Sequence, residues 1–367
     1  MDFTLTEGQQ DLARLTGEVC GKLVTADRLR ELDTAEVRFD AQLWRSLAET
    51  GVLAAALPES VGGSDLGVLE QTAILRELGK AVAAVPYLWS VVLGAGALAR
   101  WGNDAQRELA TKAGAGETIL TVALSEERNW EPNKPTTTAT DDHGWTLVGA
   151  KTIVPFAAQA TRILVPATVS GKAALFLVDP AAAGVRLTDQ QVVDRSPEAE
   201  LEFDATPAEL VGTVDDGAEI LNWLLSQGWL GLAAQQLGTL ERAVELVAEY
   251  GREREQFNRK IGSFQAVAQR LADGYIDLQG LRLAVTQAAW RVSEGLPADA
   301  EIHTAKFWAA EAGHRIAHTA VHVHGGVGID RDHIVQCYFT AAKHNEFALG
   351  GATDHLRALG TLLAEAH

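Results

Sequence analysis

One short basic segment of the chain combines residue types that could bind an anion. The segment REREQFNRKIGSFQAV, Arg252 to Val267, clusters arginine and lysine side chains, breaks at Gly262 and continues to Phe264 and Gln265. A local patch of positive charge can attract an anion, so the segment could hold an anionic small molecule. The alternative is a solvated helix end in which opposite charges pair with one another.

A second segment, HVHGGVGI at His322 to Ile329, is predicted to end a helix. Glycine lacks a Cβ, so Gly325 and Gly326 would let the backbone approach a ligand closely. The same glycines are also typical of an ordinary helix stop. The segment alone does not separate these two interpretations.

Histidines precede that segment at helical spacing. His314, His318 and His322 lie at i, i+4 and i+8 on one predicted helix, with His324 just beyond, so adjacent imidazoles could share a metal. The glutamate that an HExxH site needs is not in place, and the helix reads well as a core helix. We therefore predict no metal site.

Composition limits the classes of function. The chain has 367 residues, 47% of them hydrophobic, which predicts a globular protein of two or three domains. Its net charge of −18 disfavours binding to nucleic acid or to an anionic membrane, although a local basic patch can still attract a small anion. Cys20 and Cys337 are too few for a disulfide framework, and neither a signal peptide nor a long apolar run is present. We predict a cytoplasmic protein.

The chain reads as three blocks of an α+β fold. Helical periodicity dominates the first block, which opens with a predicted capping box at Thr6 and Gln9. Short β-branched runs such as TRILVPATV and AALFLVD mark the second block, and long helical patterns return in the third. The predicted domains are an N-terminal helical domain over 1–116, a middle β-domain over 117–212 and a C-terminal helix bundle over 213–367.

The order of the three blocks and three sequence motifs together resemble the acyl-CoA dehydrogenase family. The motifs are LPESVGGSDLG at Leu57 to Gly67, the REQFNRKIGSFQAV segment and HVHGGVGI. The resemblance covers nearly the whole chain and implies the family's fold, in which the C-terminal domain is a four-helix bundle.

The resemblance implies FAD as the cofactor, held mainly by a neighbouring subunit and contacted by this chain on its adenine and pyrophosphate side. His322 stands where the family usually has glutamine, which keeps hydrogen-bonding capacity and adds a pH-sensitive group. The implied FAD-contacting residues are Arg254, Gln256, Phe257, Gln265, His322, Gly325 and Gly326.

The catalytic base is where this chain departs from the family. The family's reaction removes a proton α to a thioester, which requires a carboxylate. The usual base position falls on Leu349 or Gly350, and the position used by branched-chain members falls near Gly228 and Trp229. None is an acid. Glu346 is the nearest carboxylate, and we interpret it as a surface or helix-capping group, so no catalytic residue is predicted in this chain.

The segments that hold the flavin ring in the family are also altered. The TEPxAGSD-like segment reads LSEERNWEPNKPTTTAT, which keeps Ser125 and Glu126 but loses the Gly-Ser-Asp. The WITN-like strand reads AKTIVPFAAQAT, where Pro155 removes a backbone donor. The resemblance therefore implies that this subunit holds a flavin ring poorly.

These departures favour a division of labour between homologous subunits. The chain resembles a subunit of the α2β2 acyl-CoA dehydrogenases of actinobacterial steroid degradation. A partner subunit would supply the base, the complex would desaturate an acyl-CoA, and electrons would pass to an electron-transfer flavoprotein. Two alternatives remain: a self-sufficient homo-oligomer that uses Glu346 as base, and an inactive scaffold or binding homologue that keeps the fold.

Overall fold

The computed structural model describes residues 6–365 and confirms the predicted order of helices, β-sheet and helices. The α-helices are α1 (Glu7–Leu23), α2 (Ala26–Thr34), α3 (Ala41–Glu49), α4 (Val68–Lys80), α5 (Gly96–Trp101), α6 (Asp104–Gly114), α7 (Gly217–Glu253), α8 (Gln265–Ser293), α9 (Asp299–His324), α10 (Val335–Phe347) and α11 (Ala352–Glu365). The strands are β1 (Leu120–Val122), β2 (Thr138–Asp141), β3 (Trp145–Pro155), β4 (Arg162–Val169), β5 (Lys172–Val178), β6 (Val185–Gln190), β7 (Glu198–Pro207), β8 (Glu209–Val211), β9 (Glu255–Gln256) and β10 (Arg259–Lys260).

Contacts divide the chain into two compact units. One unit comprises the residues up to Thr34, Val68–Ala83 and the residues from Trp229 onward. The other comprises Ala35–Gly67 and Ala84–Gly228. Along the chain, helices give way to strands between α6 and β1, and strands give way to helices between β8 and α7. The three domain ranges set out above stay a prediction.

The second unit is built on an eight-stranded sheet. Its order is β6-β7-β3-β2-β4-β5-β8, and β1 pairs in parallel with β4. β-branched and other apolar side chains on these strands form a buried core that includes Leu147, Ile163 and Phe176. The pairing of β3 with β7 shifts register between Lys151 and Val154, so β3 is irregular in the segment that corresponds to the family's flavin-ring strand.

The first unit packs helices around α9, which contacts α8, α10 and α11. Alanines such as Ala305, Ala309 and Ala312 are buried along α9 and allow its neighbours to approach closely. The predicted capping box of α1 is confirmed, since the amide of Gln9 donates to Thr6 Oγ1 at 3.3 Å and the amide of Thr6 donates to Gln9 Oε1 at 3.0 Å.

The apolar run YLWSVVLGA forms a π-helix over Tyr87–Ala95. Most of its side chains are buried, so it is a core element of the second unit. Within the described part of the chain, no helix has the length and apolar character needed to cross a membrane.

Candidate functional site

The basic segment folds as a β-hairpin rather than as a helix end. α7 stops at Glu253, and β9 pairs antiparallel with β10 immediately afterwards. Phe257 and Asn258 form the two-residue turn with φ of 52° and 61°. Two positive φ values in a two-residue loop are typical of a type I′ turn, whose twist matches that of the strands. The interpretation as a solvated helix end is therefore wrong for the residues that follow Glu253.

Arg254 connects α7 to this hairpin, and its backbone is fixed on both sides. Its amide donates to the carbonyl of Tyr250, and its carbonyl accepts from the amide of Ile261, both at 2.9 Å. Its side chain is exposed. Across residues 6–365, no oxygen accepts a hydrogen bond from its guanidinium. The structure thus presents a positioned, unpaired guanidinium to solvent.

The other cations of the hairpin are engaged within the protein. Lys260 forms an ion pair with Glu255 at 2.7 Å. Arg259 lies over the ring of Phe264 at 4.0 Å from its centroid. Of the cations from Arg254 to Lys260, Arg254 is therefore the one left available for an external anion.

An aromatic side chain projects beside this cation. Phe257 is 87% exposed, and its only ring contact in the described structure is an edge contact with Phe264 at 6.2 Å. A bulky residue with positive φ is uncommon and costs conformational energy, so an exposed phenylalanine at this turn suggests a contact outside the chain. Gln256 is exposed on the adjacent strand, and Gln265 is exposed as the first residue of α8. No side chain caps that helix start.

The glycine turn leaves open space beside the end of α9. Gly325 has φ of 63° and ψ of −138°, a conformation that side-chain-bearing residues rarely adopt. A Cβ at Gly325 or Gly326 would meet no atom within 4 Å, whereas one at Gly328 would lie 2.5 Å from the carbonyl oxygen of Val321. His322 is exposed one turn earlier. The first two glycines therefore border solvent, where a ligand could approach the backbone.

One hydrophobic cluster joins the elements that carry these residues. It brings together the end of α7, the hairpin exit, the start of α8, the end of α9 and the start of α10. Its members are Val247, Tyr250, Ile261, Phe264, Val267, Leu271, Ala320, Val323 and Val335. An exposed guanidinium, an uncapped helix start and an open glycine turn suit a pyrophosphate, and the exposed phenyl ring suits an adenine. These residues fit the adenine and pyrophosphate half of FAD.

The histidines of α9 make contacts other than those of a metal site. The rings of His314 and His318 lie 4.6 Å apart, and His314 Nδ1 lies 3.2 Å from Lys343 Nζ. The same nitrogen lies 3.3 Å from a carboxylate oxygen of Glu346, so it is engaged with side chains of α10. In the part of the chain that the structure describes, no three His, Cys, Asp or Glu side chains are grouped to hold a metal ion.

The two positions to which the sequence comparison with the family assigned its base lie in contact in the fold. Trp229 Nε1 donates to the carbonyl oxygen of Leu349 at 2.9 Å. The same indole packs against the rings of His303 and His355, at 4.7 Å and 5.3 Å between centroids. Neither position carries a carboxylate, and the rings of His303 and His355 pack against the contact.

The titratable groups beside the contact between Trp229 and Leu349 are either weak bases or already hydrogen-bonded within the chain. Burial lowers the pKa of His355 to about 3, helped by Lys306 and His303, and burial also lowers the pKa of His303. Lys306 is fully buried, and burial lowers its pKa to about 7. Its ammonium donates to the carbonyls of Gly350 at 2.8 Å and Asn345 at 3.1 Å. Lys306 thus fixes the loop after α10, and its protons are used for that purpose.

Glu346 is not a surface carboxylate, so our sequence interpretation of this residue was wrong. It is 8% exposed and forms an ion pair with Lys343 at 2.6 Å, while its other oxygen lies 3.3 Å from His314 Nδ1. The interpretation failed because sequence gives no sign that these partners of α9 and α10 would enclose the carboxylate. Both of its oxygens are held by neighbours in the same unit.

Glu126 is the centre of a buried network in the second unit. Its carboxylate pairs with Lys151 at 2.7 Å, and both side chains are almost fully buried. It also accepts from the amides and hydroxyls of Thr136 and Thr137 and from the side chain of Asn129. Six hydrogen bonds therefore saturate this carboxylate and fold the following loop back on itself.

The backbone donors of the strand that corresponds to the flavin-ring segment are likewise occupied. The amide of Thr152 donates to the carbonyl of Ser125 at 3.0 Å, and the amide of Ile153 donates to Gln190 Oε1 at 2.7 Å. Pro155 has no amide hydrogen. These groups satisfy one another within the chain, so this part of the chain does not fit a flavin ring.

Comparisons with known proteins identify the family of the chain. The profile described as "Acyl-CoA dehydrogenase, N-terminal domain" matches residues 6–115, and the one described as "Acyl-CoA dehydrogenase, C-terminal domain" matches residues 215–360. The chain is 50% identical to acyl-CoA dehydrogenase FadE27 of Mycobacterium tuberculosis, over 100% of this chain and 99% of that protein.

Solved structures extend the comparison. A chain of the ChsE4-ChsE5 complex from Mycobacterium tuberculosis superimposes with a TM-score of 0.94 at 50% identity, covering 100% of this chain and 99% of that one. A variant of the Tcur3481-Tcur3483 steroid ACAD superimposes with a TM-score of 0.93 at 38% identity, covering 99% of both chains. Butyryl-CoA dehydrogenase of Megasphaera elsdenii matches with a TM-score of 0.89 at 27% identity, covering 99% of this chain and 100% of that one.

Proposed function

Because the chain belongs to the acyl-CoA dehydrogenase family, we propose that it is one of two kinds of subunit in a heteromeric, FAD-dependent acyl-CoA dehydrogenase. In this proposal it supplies adenine-side and pyrophosphate-side contacts to a FAD whose ring is held by a homologous partner. The partner also supplies the catalytic base.

The observation that carries the proposal is the contact between Trp229 and Leu349. Both base positions inferred from the family converge there, and neither can accept a proton. Removal of the α-proton needs a positioned carboxylate, and nearby Glu346 is already held by Lys343. The chain is thus equipped to bind part of the cofactor and lacks the group that begins the reaction.

The two halves of the cofactor site support the same asymmetry. On the adenine side, Arg254 presents a free cation, Phe257 an exposed ring and Gly325 an open turn. On the ring side, the carboxylate of Glu126 and the amide of Ile153 are already hydrogen-bonded within the chain. FAD, when bound, accepts the hydride that leaves the β-carbon of the acyl-CoA. The role of this chain is to hold the charged end of the cofactor with groups fixed by the backbone.

The relatives suggest the assembly and the substrate class. One matched structure is a ChsE4-ChsE5 complex, and another is a steroid ACAD. We extend both to this chain as proposals: a homologous acyl-CoA dehydrogenase subunit as partner and the CoA thioester of a steroid-derived acid as substrate. We also propose an electron-transfer flavoprotein as electron acceptor and a cytoplasmic location.

Visible flavin absorbance tests the proposal directly. The chain purified alone should be colourless and inactive, and after co-expression with its homologous partner it should be yellow and active, with one flavin for each pair of chains. Acyl-CoA oxidation and subunit stoichiometry are measured on the same samples. A yellow preparation of this chain alone that oxidises acyl-CoA efficiently would refute the shared site.

Replacing Glu346 by glutamine should leave the turnover number of the assembled pair almost unchanged. The carboxylate is engaged by Lys343 and His314, so its loss removes an ion pair but no proton acceptor for the substrate. Loss of a true general base would instead lower turnover by about 10²–10⁴-fold. The matched control is Glu311→Gln, which removes another carboxylate of the same helical unit. Abolished activity in the Glu346 variant alone would favour the self-sufficient enzyme.

A further inference from the structure

His324 lies next to the candidate FAD contacts and touches the end of α7, the glycine turn and the segment before α10. It is the last residue of α9, directly before Gly325, and it is only 5% exposed. Its ring stacks on Tyr250 with 4.3 Å between centroids and 23° between planes. The carbonyl of Tyr250 in turn accepts the backbone hydrogen bond of Arg254. One imidazole therefore joins the end of α7 to the glycine turn.

The orientation of the imidazole is fixed by its own helix. His324 Nδ1 lies 2.8 Å from the carbonyl oxygen of Ala320. A carbonyl only accepts hydrogen bonds, so Nδ1 carries the proton in the neutral ring. Burial lowers the pKa of His324, against the effect of that carbonyl, and the neighbouring His333 lowers it further. In its neutral form the ring is therefore held in one tautomer.

Two further contacts tie the ring to the turn and to α10. A Cβ at Gly328 would lie 3.0 Å from His324 Cβ, so the turn folds back directly against this residue. The ring of His333 lies 5.1 Å away, and His333 Nδ1 accepts from the amide of Val335 at the start of α10. Movement of the His324 ring would thus disturb the hairpin side and the glycine side together.

We propose that His324 is a positioning residue for cofactor binding, whose stack on Tyr250 sets the placement of Arg254 relative to the Gly325 turn. The inference rests on the proposed function, because it concerns the same cofactor site. His324 itself is buried, so in this proposal it does not touch the cofactor. Its effect on FAD is transmitted through Arg254 and the turn.

Two substitutions separate the stack from the hydrogen bond. His324→Phe keeps an aromatic ring against Tyr250 and loses the donor to Ala320. His324→Asn places an amide where Nδ1 stands and loses the ring. If the stack positions the site, the Asn variant of the assembled complex should bind FAD more weakly on the order of tenfold, as expected for neighbouring coupled residues. The Phe variant should bind FAD as the wild type does.

The measurement is the dissociation constant of FAD from the complex, followed by flavin fluorescence, together with the melting temperature. His318→Asn, a change of an exposed histidine on the same helix, is the control. A double variant with Arg254→Gln should lose less affinity than the two single losses combined, because His324 acts through Arg254. Should the Asn variant fail to assemble, Tyr250→Leu removes the same stack from the other side.

The outcomes are distinguishable. If Arg254→Gln weakens FAD binding while His324→Asn only lowers the melting temperature, His324 is a core residue and this inference is wrong, although the proposed function stands. Additive losses in the double variant would also contradict positioning. If Arg254→Gln leaves FAD affinity unchanged, the proposed function itself fails.

Discussion

Replacing Lys151 by methionine is expected to destabilise the protein by about 3–5 kcal/mol, the usual cost of leaving one member of a buried ion pair without its partner. Lys151 and Glu126 are both nearly inaccessible to solvent and lie 2.7 Å apart. The substitution keeps an unbranched side chain of similar length, so the loss of the charge dominates. Chemical denaturation at neutral pH measures the change in the free energy of unfolding.

The pH dependence of that stability has a definite sign. Burial would raise the pKa of Glu126, but Lys151 and the amides of Thr136 and Thr137 hold it well below its ordinary value of 4.5. The stabilisation is therefore complete above that value and is lost as the pH falls below it. Removing Lys151 raises the pKa of Glu126 in the folded state, so the variant should lose less stability on acidification than the wild type does.

An exposed pair of similar length is the control. Lys172 and Asp215 lie 2.8 Å apart in the same unit, with both side chains largely in solvent. Lys172→Met should change the free energy of unfolding far less than Lys151→Met does, because exposed ion pairs contribute little to stability. Equal losses in the two lysine variants would show that burial of the Glu126 pair has no special effect.

The order of helices, sheet and helices was predictable because the period of the apolar residues changes twice along the chain. Runs such as TRILVPATV became β4, and the capping box at Thr6 formed as predicted. β6, with the sequence VRLTDQ, was missed since its side chains are mostly polar and its stability comes from pairing with β7. A strand at the edge of a sheet leaves little apolar signal.

The hairpin at the candidate site was also beyond sequence reasoning. The usual signal for a type I′ turn is Asn-Gly, and here the turn residues are Phe257 and Asn258. The family resemblance located Arg254 and Gly325 as candidates, but the common hydrophobic cluster beneath them depends on contacts between α7, α8, α9 and α10. Such contacts between distant parts of the chain cannot be predicted from the local pattern of apolar and polar residues.

Sequence reasoning found no acid at either of two separate candidate base positions, and the fold brings those two positions into contact. Trp229 and Leu349 are 120 residues apart in sequence, yet the indole of one donates to the backbone of the other. The burial of His355 and Lys306 had no sequence signal, because isolated histidines and lysines usually lie on the surface. It became visible only when α9, α10 and α11 were assembled.

Replacing Arg254 by glutamine is expected to weaken FAD binding to the assembled pair by about 1.5–3 kcal/mol, or roughly 10- to 150-fold, the range for a hydrogen bond to a charged group. The guanidinium has a fixed backbone and no partner among the described residues, so its removal should leave the fold of the subunit unchanged. Arg254→Lys keeps the charge without the planar fork and should lie between wild type and glutamine. The measurement is the FAD dissociation constant, with the melting temperature as a check on folding.

Arg252 provides the matched comparison because it is an exposed arginine only two residues away on the last turn of α7. If the effect came from the general positive charge of the segment, Arg252→Gln would weaken FAD binding as much as Arg254→Gln does. A contact specific to Arg254 predicts a loss in that variant alone, and the loss should persist at high salt, where the attraction of a distant charge is screened. If the wild type and both variants bind FAD with equal affinity, the hairpin has only a structural role. The interpretation of the chain as a scaffold homologue would then be the better one.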